Sequence, residues 1–597
     1  MWRFRSGGVE MRFSVMADFY EKIEATSKRL EMTDLLVQLF RETPKDLIDK
    51  VVYLTTGRLY PLFVPIELGL AEKLAVRSVA MASGRSVSEV EEKLKKTGDL
   101  GLVTEQILES KKQTSLFQKP LEVLDVYETL DKIARAAGTG SVETKLRLLS
   151  RLLLDGTPKE AKYIIRMVVG ALRLGIAEYT ILDALAIAYT GEKENRPILE
   201  RAFNITSDLG LVAKTLATEG LEAVKNFRVT LGKPVRMMLA QRLSTPEEIL
   251  EKMQGECAVE YKLDGERVQA HKSNGEVMLY SRRLENITEQ YPDIAKLIRN
   301  NIKPEKAIVE GEIVAVDPQT GELLPFQTLM RRRRKYGIKE AVEEYPASIN
   351  LFDLLLVDDT DYTMTPYPER RRKLEEIAEV NDRIKPVKAK LVDNPEDFET
   401  FFEEAIEAGC EGLMAKSIQS DSIYEAGSRG FKWIKYKREY KTEMMDTIDT
   451  VIVGAFMGRG KRAGTYGALL VAVYDPEQDM FRTISKVGTG FSDTDLEALP
   501  KMLEKYRIEH KHPRVDSKLE ADVWFTPAKV IEIIGSEYTL SQVHTAAYGV
   551  IKTDSGIAVR FPRFTGRWRD DKSPEEATTV DEIIQMYKEQ IKTQSNK

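Results

Sequence analysis

The spacing of apolar residues changes near residue 235, and this change limits what the chain can fold into. From about Phe13 to Arg228 apolar residues recur at intervals of three and four, which is typical of amphipathic helices. After Gly232-Lys233-Pro234 short strand-like runs replace this pattern, and after about Tyr440 the runs are β-rich and are separated by glycine-rich turns. One architecture does not satisfy all three patterns, so we predict a multidomain protein.

The predicted domains are an all-α domain over 1–235, an α/β (α+β) domain over 236–440 and a small β-barrel over 441–597 that ends in a charged helix. A length of 597 residues fits three large domains. Expected strands lie at 268–272, 277–280, 307–316, 349–357, 451–456, 468–474 and 530–534, and expected helices at 368–380, 395–408 and 579–592. The helix that starts at Thr157-Pro158 should end near Gly175. Met11 is a candidate start, so residues 1–10 are a candidate extension.

The composition limits the metal chemistry and the compartment. Two cysteines and four scattered histidines do not have the spacing of a zinc site, which leaves carboxylates as ligands and favours Mg²⁺, with Mn²⁺ as the alternative. No apolar run is long enough to span a bilayer, and the first residues lack the apolar segment of a secretory signal. We therefore expect a cytoplasmic protein with no membrane partner.

The central region carries an ordered set of charged residues on predicted strands. Lys262 is followed by Asp264 and Gly265, a short motif that is weak alone. Residues two apart on a strand share a face, so Glu310 should lie beside Glu312 and Lys435 beside Lys437. Carboxylates on one face can hold a divalent cation, and lysines can neutralise phosphates, which together describe a nucleotide site. The alternative is that the two lysines form the solvent face of a strand.

Lys262 is the candidate nucleophile of this site. A neutral lysine amine can attack phosphorus and form a phosphoramidate, which divides one difficult transfer into easier steps. With an ordinary pKa of about 10.4 the amine needs help to lose its proton, and nearby cations such as Arg267 and Arg282 would lower its pKa by like-charge repulsion. The competing interpretation is a structural lysine that forms an ion pair with Asp264 or Glu260.

Taken in order, these motifs resemble the covalent nucleotidyltransferase superfamily, specifically the ATP-dependent DNA ligases of the archaeal and eukaryotic replicative type. The resemblance spans nearly the whole chain. It includes Lys262-x-Asp264-Gly265, Ser281-Arg282, Glu312, Phe352, Glu411-Gly412 with Lys416, Lys435 with Lys437, and Arg569-Asp570-Asp571-Lys572. The family implies an OB-fold for the C-terminal barrel and a helical DNA-binding domain at the N-terminus.

The resemblance also implies roles for individual residues. Lys262 would take AMP from ATP and pass it to the 5′-phosphate of a nick. The 3′-hydroxyl would then displace AMP and join the strands. Other nucleotide contacts would come from Glu260, Arg267, Arg282, Glu312, Phe352, Arg429, Lys435, Lys437, Arg569 and Lys572. Glu312 and Glu411 would hold the metal.

The implied partner is nicked double-stranded DNA. A monomer would bind it through contacts to the DNA backbone, which do not depend on the base sequence. Candidate DNA contacts are Arg166, Arg173, Lys461 and Arg462. Gln113, Leu116 and Phe117 resemble a short sliding-clamp peptide, with a local apolar turn as the alternative.

Two other functions remain open at this point. One is an RNA ligase or a capping-type nucleotidyltransferase of the same superfamily. The other is a non-catalytic DNA-binding scaffold with a relic nucleotide pocket. An NAD-dependent ligase would be expected to carry a four-cysteine zinc module, which two cysteines do not supply.

Overall fold

The computed structural model describes residues 10–66, 70–110, 120–316, 323–324, 326–332, 338–437, 447–458, 464–535, 537–560 and 562–595. The chain divides into two compact units, Met1–Glu91 with Leu100–Arg438 and Glu92–Asp99 with Glu439–Lys597. In the described part of the chain no helix is both long and apolar enough to cross a membrane.

Packed helices make up the N-terminal region of the described chain. They are α1 (Phe13–Glu24), α2 (Arg29–Glu42), α3 (Ile48–Thr55), α4 (Glu72–Ser83), α5 (Val87–Thr97), α6 (Leu100–Glu109), α7 (Val123–Arg135), α8 (Ser141–Asp155), α9 (Pro158–Val168), α10 (Glu178–Thr190), α11 (Arg196–Thr206), α12 (Leu209–Glu219) and α13 (Leu221–Lys225).

Helix α9 begins at the predicted capping box. The Thr157 side chain accepts a hydrogen bond from the Glu160 backbone, and the Glu160 carboxylate accepts one from the Thr157 backbone. The helix ends at Val168, well before the predicted end near Gly175. Gly170 and Arg173 have φ angles of +69° and +61°, and this left-handed backbone cannot continue a right-handed helix.

The central region contains two sheets. Its strands are β1 (Leu239–Arg242), β2 (Cys257–Lys262), β3 (Glu266–Ser273), β4 (Glu276–Ser281), β5 (Lys306–Ala315), β6 (Ala347–Val357), β7 (Thr360–Asp361), β8 (Ile384–Pro386), β9 (Ala389–Val392), β10 (Gly412–Ser417) and β11 (Arg429–Lys437). The first sheet has the order β1-β11-β10-β2-β9, and the second has the order β4-β3-β5-β6-β7 with β8 also paired to β6. The helices are α14 (Pro246–Lys252), α15 (Pro292–Asn301), α16 (Phe326–Met330), α17 (Ile338–Glu344), α18 (Tyr367–Ile377) and α19 (Pro395–Glu407).

Helices bury one face of each sheet. Phe398 and Phe401 of α19 pack with Val259 of β2 and Leu413 of β10 in one apolar core. A second core joins α15 and α18 to β3, β5 and β6. The predicted strands and helices of this region agree with β3 to β6, α18 and α19 to within a few residues at each end.

The second unit is rich in β-strands. They are β12 (Ile448–Met457), β13 (Tyr466–Asp475), β14 (Met480–Val487), β15 (Arg507–Ile508), β16 (Val515–Asp516), β17 (Val523–Phe525), β18 (Val530–Ile534), β19 (Glu537–Ser541), β20 (Gly556–Arg560) and β21 (Arg563–Trp568). The main sheet has the order β15-β17-β12-β13-β14-β16, and β18 pairs with β12 and β21. Helices α20 (Asp493–Leu503) and α21 (Val580–Ser595) complete the unit, and α21 confirms the predicted C-terminal helix.

Candidate functional site

A pocket of about 740 Å³ is lined by residues of both central sheets. It brings together ten of the residues that the sequence singled out: Glu260, Lys262, Arg267, Arg282, Glu312, Phe352, Glu411, Arg429, Lys435 and Lys437. Sequence reasoning gave no pocket role to several other lining residues, among them Leu239, Ala240, Tyr261, Arg283, Met330, Met414 and Trp433. The pocket therefore joins residues that are up to 198 positions apart in the chain (239 to 437).

Strand register explains why the charged residues of the first sheet converge. On β10, Gly412 is paired with Lys262 on one side and Lys437 on the other, and Met414 is paired in the same way with Glu260 and Lys435. Alternate residues of each strand point to the same face. The two rows therefore present their charged side chains to the pocket together, as the spacing of Lys435 and Lys437 predicted.

Gly412 is required where these rows meet. Its φ is +151°, and a Cβ atom there would lie 2.1 Å from the carbonyl oxygen of Tyr436. Glycine is the residue that tolerates both this backbone and this close approach. It lets β10 fit between the two strands that carry Lys262 and Lys437.

Lys262 is the last residue of β2, and its amine forms an ion pair with a carboxylate. The Nζ atom lies 2.7 Å from Oε2 of Glu411, and Nζ of Lys437 lies 2.6 Å from the same oxygen. The sequence-based alternative of a pair with Asp264 or Glu260 is not the arrangement seen here. Lys262 and Glu411 are 21% and 23% exposed, so the pair lies at an accessible part of the pocket.

Three carboxylates surround Lys262. Burial raises the pKa of Glu312 to about 7, against the opposing effect of Lys262 and Arg267. Burial and the neighbouring Glu411 carboxylate also raise the pKa of Asp264. Burial would raise the pKa of Glu411 as well, but Lys262, Asp264 and Lys437 outweigh it and hold that pKa low.

These three carboxylates are suited to bind a hard cation. Oxygen ligands suit Mg²⁺, which uses one or two protein carboxylates and completes its shell with water and substrate phosphates. Among the residues that the structure describes, no three acidic, histidine or cysteine side chains are arranged to hold a metal by themselves. Glu312 and Glu411 therefore suit a metal that is shared with a bound phosphate.

Positive charge is also concentrated in this pocket. Burial is the largest cause that lowers the pKa of Lys435. Repulsion by nearby cations lowers it further, and these are Lys437, Arg429, Lys262 and Arg282. Within the described ranges, Lys435, Arg282 and Arg429 form no ion pair with a carboxylate. Uncompensated cations in a pocket are suited to an anionic ligand such as a polyphosphate.

Glu260 lies in the buried part of the pocket, where its carboxylate has three protein partners. Oε2 lies 2.8 Å from Nζ of Lys416, and Oε1 accepts hydrogen bonds from the Tyr367 hydroxyl at 2.5 Å and from Arg371 at 3.2 Å. Glu260 and Lys416 are 2% and 1% exposed. Tyr367 and Arg371 were missed by sequence reasoning.

Aromatic rings and Arg267 form another wall. Phe352 and Trp433 meet edge to face, with ring centroids 6.2 Å apart, and the Arg267 guanidinium lies 5.2 Å from each ring. Arg267 also donates to Oε2 of Glu310 at 2.8 Å. Glu310 and Glu312 share a face of β5 as predicted, but Glu310 is fully buried beneath Arg267 and only Glu312 lines the pocket.

Other predicted site residues lie outside this pocket. Arg166 is buried in α9, where it forms two hydrogen bonds with the Glu24 carboxylate at 2.8 and 3.0 Å. A buried, paired guanidinium does not suit a DNA phosphate, so the structure disfavours that prediction. Arg173 is half-buried in the turn after α9. Gln113, Leu116, Phe117, Lys461 and Arg462 lie outside the described residues.

Arg569 and Lys572 belong to the second unit. Both contact Oδ2 of Asp449, each at 2.7 Å, and Arg569 also pairs with Asp571 at 2.8 Å. Asp449 is nearly buried at the start of β12. The two cations therefore have an internal carboxylate partner within their own unit.

Family comparisons match three segments of the chain. Residues 12–186 match the DNA ligase N terminus, residues 237–437 the ATP dependent DNA ligase domain, and residues 462–572 the ATP dependent DNA ligase C terminal region. The predicted fold class is confirmed: a helical N-terminal region, a central nucleotidyltransferase domain and a β-rich C-terminal domain.

Similar proteins match over nearly their whole length. "DNA ligase 2" of Thermofilum pendens is 56% identical, and "DNA ligase" of Staphylothermus marinus is 52% identical, each with 98% of this chain covered and 98% and 99% of those proteins. "Probable DNA ligase" of Aquifex aeolicus is 51% identical, with 98% and 99% covered. A solved structure described as "Pmar-Lig_Pre." shares the fold, with a TM-score of 0.54, 17% identity, and 93% of this chain and 99% of that chain covered.

Proposed function

This chain belongs to the ATP-dependent DNA ligases, and we propose that its central pocket forms a lysyl-AMP intermediate on Lys262 while the enzyme seals nicks in duplex DNA. The observation that carries this proposal is that one lysine contacts a carboxylate in a pocket that is also lined by several cations. Lys262 contacts the Glu411 carboxylate, and the cations Arg282, Arg429 and Lys435 share the same pocket. Phosphoryl transfer depends on such positioning and charge neutralisation.

The proposed reaction has three steps. The Lys262 amine attacks the α-phosphorus of ATP, so a P–N bond forms and the bond to pyrophosphate breaks. The 5′-phosphate of the nick then attacks the same phosphorus and releases the lysine. Finally the 3′-hydroxyl attacks the activated 5′-phosphate, and AMP leaves. In the first step Lys262 has to separate from Glu411, because the attacking nitrogen needs its lone pair.

The other residues of the pocket have distinct proposed roles. Phe352 is suited to stack on adenine, and Glu260 to accept a hydrogen bond from it. Arg267 and Glu312 would contact the ribose. Phosphate contacts are proposed for Arg282, Arg429, Lys435 and Lys437, and Arg569 and Lys572 would orient pyrophosphate in the first step.

Mg²⁺, or Mn²⁺ in its place, would be held by Glu312 and Glu411. The position of both carboxylates in one pocket supports this assignment, because carboxylate oxygens are the ligands that Mg²⁺ prefers. When bound, the metal neutralises phosphate charge and favours the uncharged form of the Lys262 amine.

We also propose three domains with boundaries near 235 and 440. The protein would be a cytoplasmic monomer, and its helical region would contact the DNA backbone. The central family match, which covers residues 237–437, begins and ends near these boundaries and supports the domain limits. Arg173, Lys461 and Arg462 remain candidate DNA contacts, and Gln113, Leu116 and Phe117 remain a candidate sliding-clamp peptide.

A labelling experiment tests the central proposal. The full-length protein is incubated with α-labelled ATP and Mg²⁺, and the product is chased with nicked DNA. We expect an acid-stable label that pyrophosphate removes and that nicked DNA converts into joined strands plus AMP. Mass spectrometry should place the added AMP on Lys262.

Two outcomes would favour the alternatives. A protein that binds nicked DNA but never takes up label would be a non-catalytic scaffold. A labelled protein that joins nicked RNA and not nicked DNA would belong with the RNA ligases in activity. In either case the assignment of DNA joining to this pocket would be withdrawn.

A further inference from the structure

Glu260 is positioned by three side chains that lie outside the nucleophile motif. We call Glu260, Lys416, Tyr367 and Arg371 the Glu260 cluster. Lys416 comes from β10, and Tyr367 and Arg371 come from α18, where a spacing of four residues places them on the same helix face. Two different elements thus hold one carboxylate.

The number of contacts limits what Glu260 can still bind. An ionised carboxylate has about four lone-pair positions, two on each oxygen. Tyr367 and Arg371 occupy both positions on Oε1, and Lys416 occupies one on Oε2. Within the described part of the chain Oε2 has no second partner, so one acceptor position remains on a side chain that lines the pocket.

We infer that Tyr367, Arg371 and Lys416 determine base specificity by leaving Glu260 a single acceptor position, which suits the 6-amino group of adenine and not the paired donors of guanine. Guanine presents two adjacent donors, N1–H and the 2-amino group, which bind best to both oxygens of one carboxylate. With Oε1 fully occupied, that two-point contact is blocked. This inference rests on the proposed function, because it concerns the nucleotide that the same pocket accepts.

Tyr367 and Arg371 are positioning residues in this scheme, since they act on the nucleotide only through Glu260. The fixed geometry matters because all three contacts are charge-assisted, and those of Tyr367 and Lys416 are buried. A Glu260 side chain released from Tyr367 could rotate and offer Oε1 to a second donor. Loss of selectivity, rather than loss of activity, is therefore the expected result of weakening the cluster.

The test compares nucleotide selectivity in Tyr367→Phe, Arg371→Met and the unaltered full-length protein. Formation of labelled enzyme is measured with α-labelled ATP, GTP and purine riboside triphosphate, which has no amino group. We expect the unaltered protein to prefer ATP over both others. In Tyr367→Phe the ratio of kcat/KM for ATP to that for GTP should fall by about tenfold, chiefly through KM.

Tyr436→Phe is the matched control. Tyr436 also donates to a carboxylate, Glu399, at 2.8 Å and is buried in the same unit, but it does not line the pocket. This variant removes the same type of hydrogen bond, so it should leave the ATP to GTP ratio unchanged whatever it does to stability. Glu260→Gln, which changes the acceptor itself, should lose the preference for ATP over purine riboside triphosphate.

The possible results separate this inference from the proposed function. If the unaltered protein takes no label from ATP, the proposed function fails. A second possible result is that the unaltered protein takes label while Tyr367→Phe and Arg371→Met change kcat/KM by the same factor for all three nucleotides. In that case the cluster has only a structural role and the inference is wrong. A change in the ratio in these variants, together with an unchanged ratio in Tyr436→Phe, supports it.

Discussion

Glu260 and Lys262 lie two residues apart on one strand and face the same pocket, yet their surroundings differ. Glu260 is 2% exposed and has three charge-assisted contacts. Lys262 is 21% exposed, and its ion-pair partner Glu411 is shared with Lys437. We call the first region the buried end of the pocket and the second the open end.

The difference follows from what each end has to do. A group that recognises a fixed shape gains from being held by its neighbours, because little conformational freedom is lost on binding. A nucleophile has to leave its resting contact and follow a phosphorus atom through several steps. A single accessible ion pair permits such movement, since exposed pairs contribute little to stability.

The largest expected effect is the loss of the nucleophile at the open end. Lys262→Ala should lower formation of labelled enzyme by roughly 10⁴-fold or more, because the proposed P–N bond forms on the amine that this substitution removes. Lys262→Arg is the matched control: it keeps a positive charge beside Glu411 but offers no nucleophilic amine. Both variants should fold and bind nicked DNA. Label on Lys262→Ala would assign the nucleophile to another residue.

The buried end should respond to charge removal through stability. Lys416 contacts Glu260, donates to the Phe352 carbonyl at 2.7 Å and lies 4.5 Å from the Trp433 ring centroid. Lys416→Met leaves Glu260 short of a partner in a buried site, and the free energy of unfolding should fall by about 3 kcal/mol. Denaturant unfolding measures this change.

Lys437→Met provides the comparison at the open end. The ion pair between Lys437 and Glu411 is partly exposed, so the free energy of unfolding should fall by less than about 1 kcal/mol. Equal destabilisation by the two substitutions would remove the distinction between the ends.

The third effect concerns the carboxylate at the open end. Glu411→Gln removes the carboxylate that holds Lys262 and Lys437 and that is proposed to bind the metal. Labelling with ATP should slow by about 10²-fold, and the free energy of unfolding at neutral pH should also fall, because a carboxyl whose pKa is held low stabilises the folded protein above that pKa. A stable variant with full labelling activity would show that Glu411 is dispensable for the first step.

The sequence was informative where strand periodicity decides which way a side chain points. Alternation placed Lys435 and Lys437 on one face, and the motif set named ten residues that line the pocket. It could not identify the partner of Lys262. That partner depends on the register between β2 and β10, which brings Gly412 beside Lys262 and so Glu411 within reach.

Contacts between distant elements account for other features of the structure that the sequence did not indicate. Arg166 looks like an exposed basic residue of a capped helix, but it packs against α6 at Gly101, where even a Cβ atom would lie 2.6 Å from the Arg166 side chain. Its partner Glu24 is in α1, 142 residues away in sequence. Tyr367 and Arg371 share a helix face, but the sequence does not indicate that this face meets Glu260.

The smallest expected effect concerns Lys435, whose pKa is lowered by burial and by four neighbouring cations. Lys435→Met should raise KM for ATP by about tenfold and yet stabilise the ligand-free protein at neutral pH, because an unfavourable charge is gone. Since the folded pKa of Lys435 lies below the unfolded value of about 10.4, its destabilising effect is complete at lower pH and fades as pH rises through that window. The stability difference between variant and unaltered protein should therefore shrink as pH approaches 10.4. Denaturant unfolding at several pH values measures it, and a difference that grows with pH would show that the four cations do not govern this lysine.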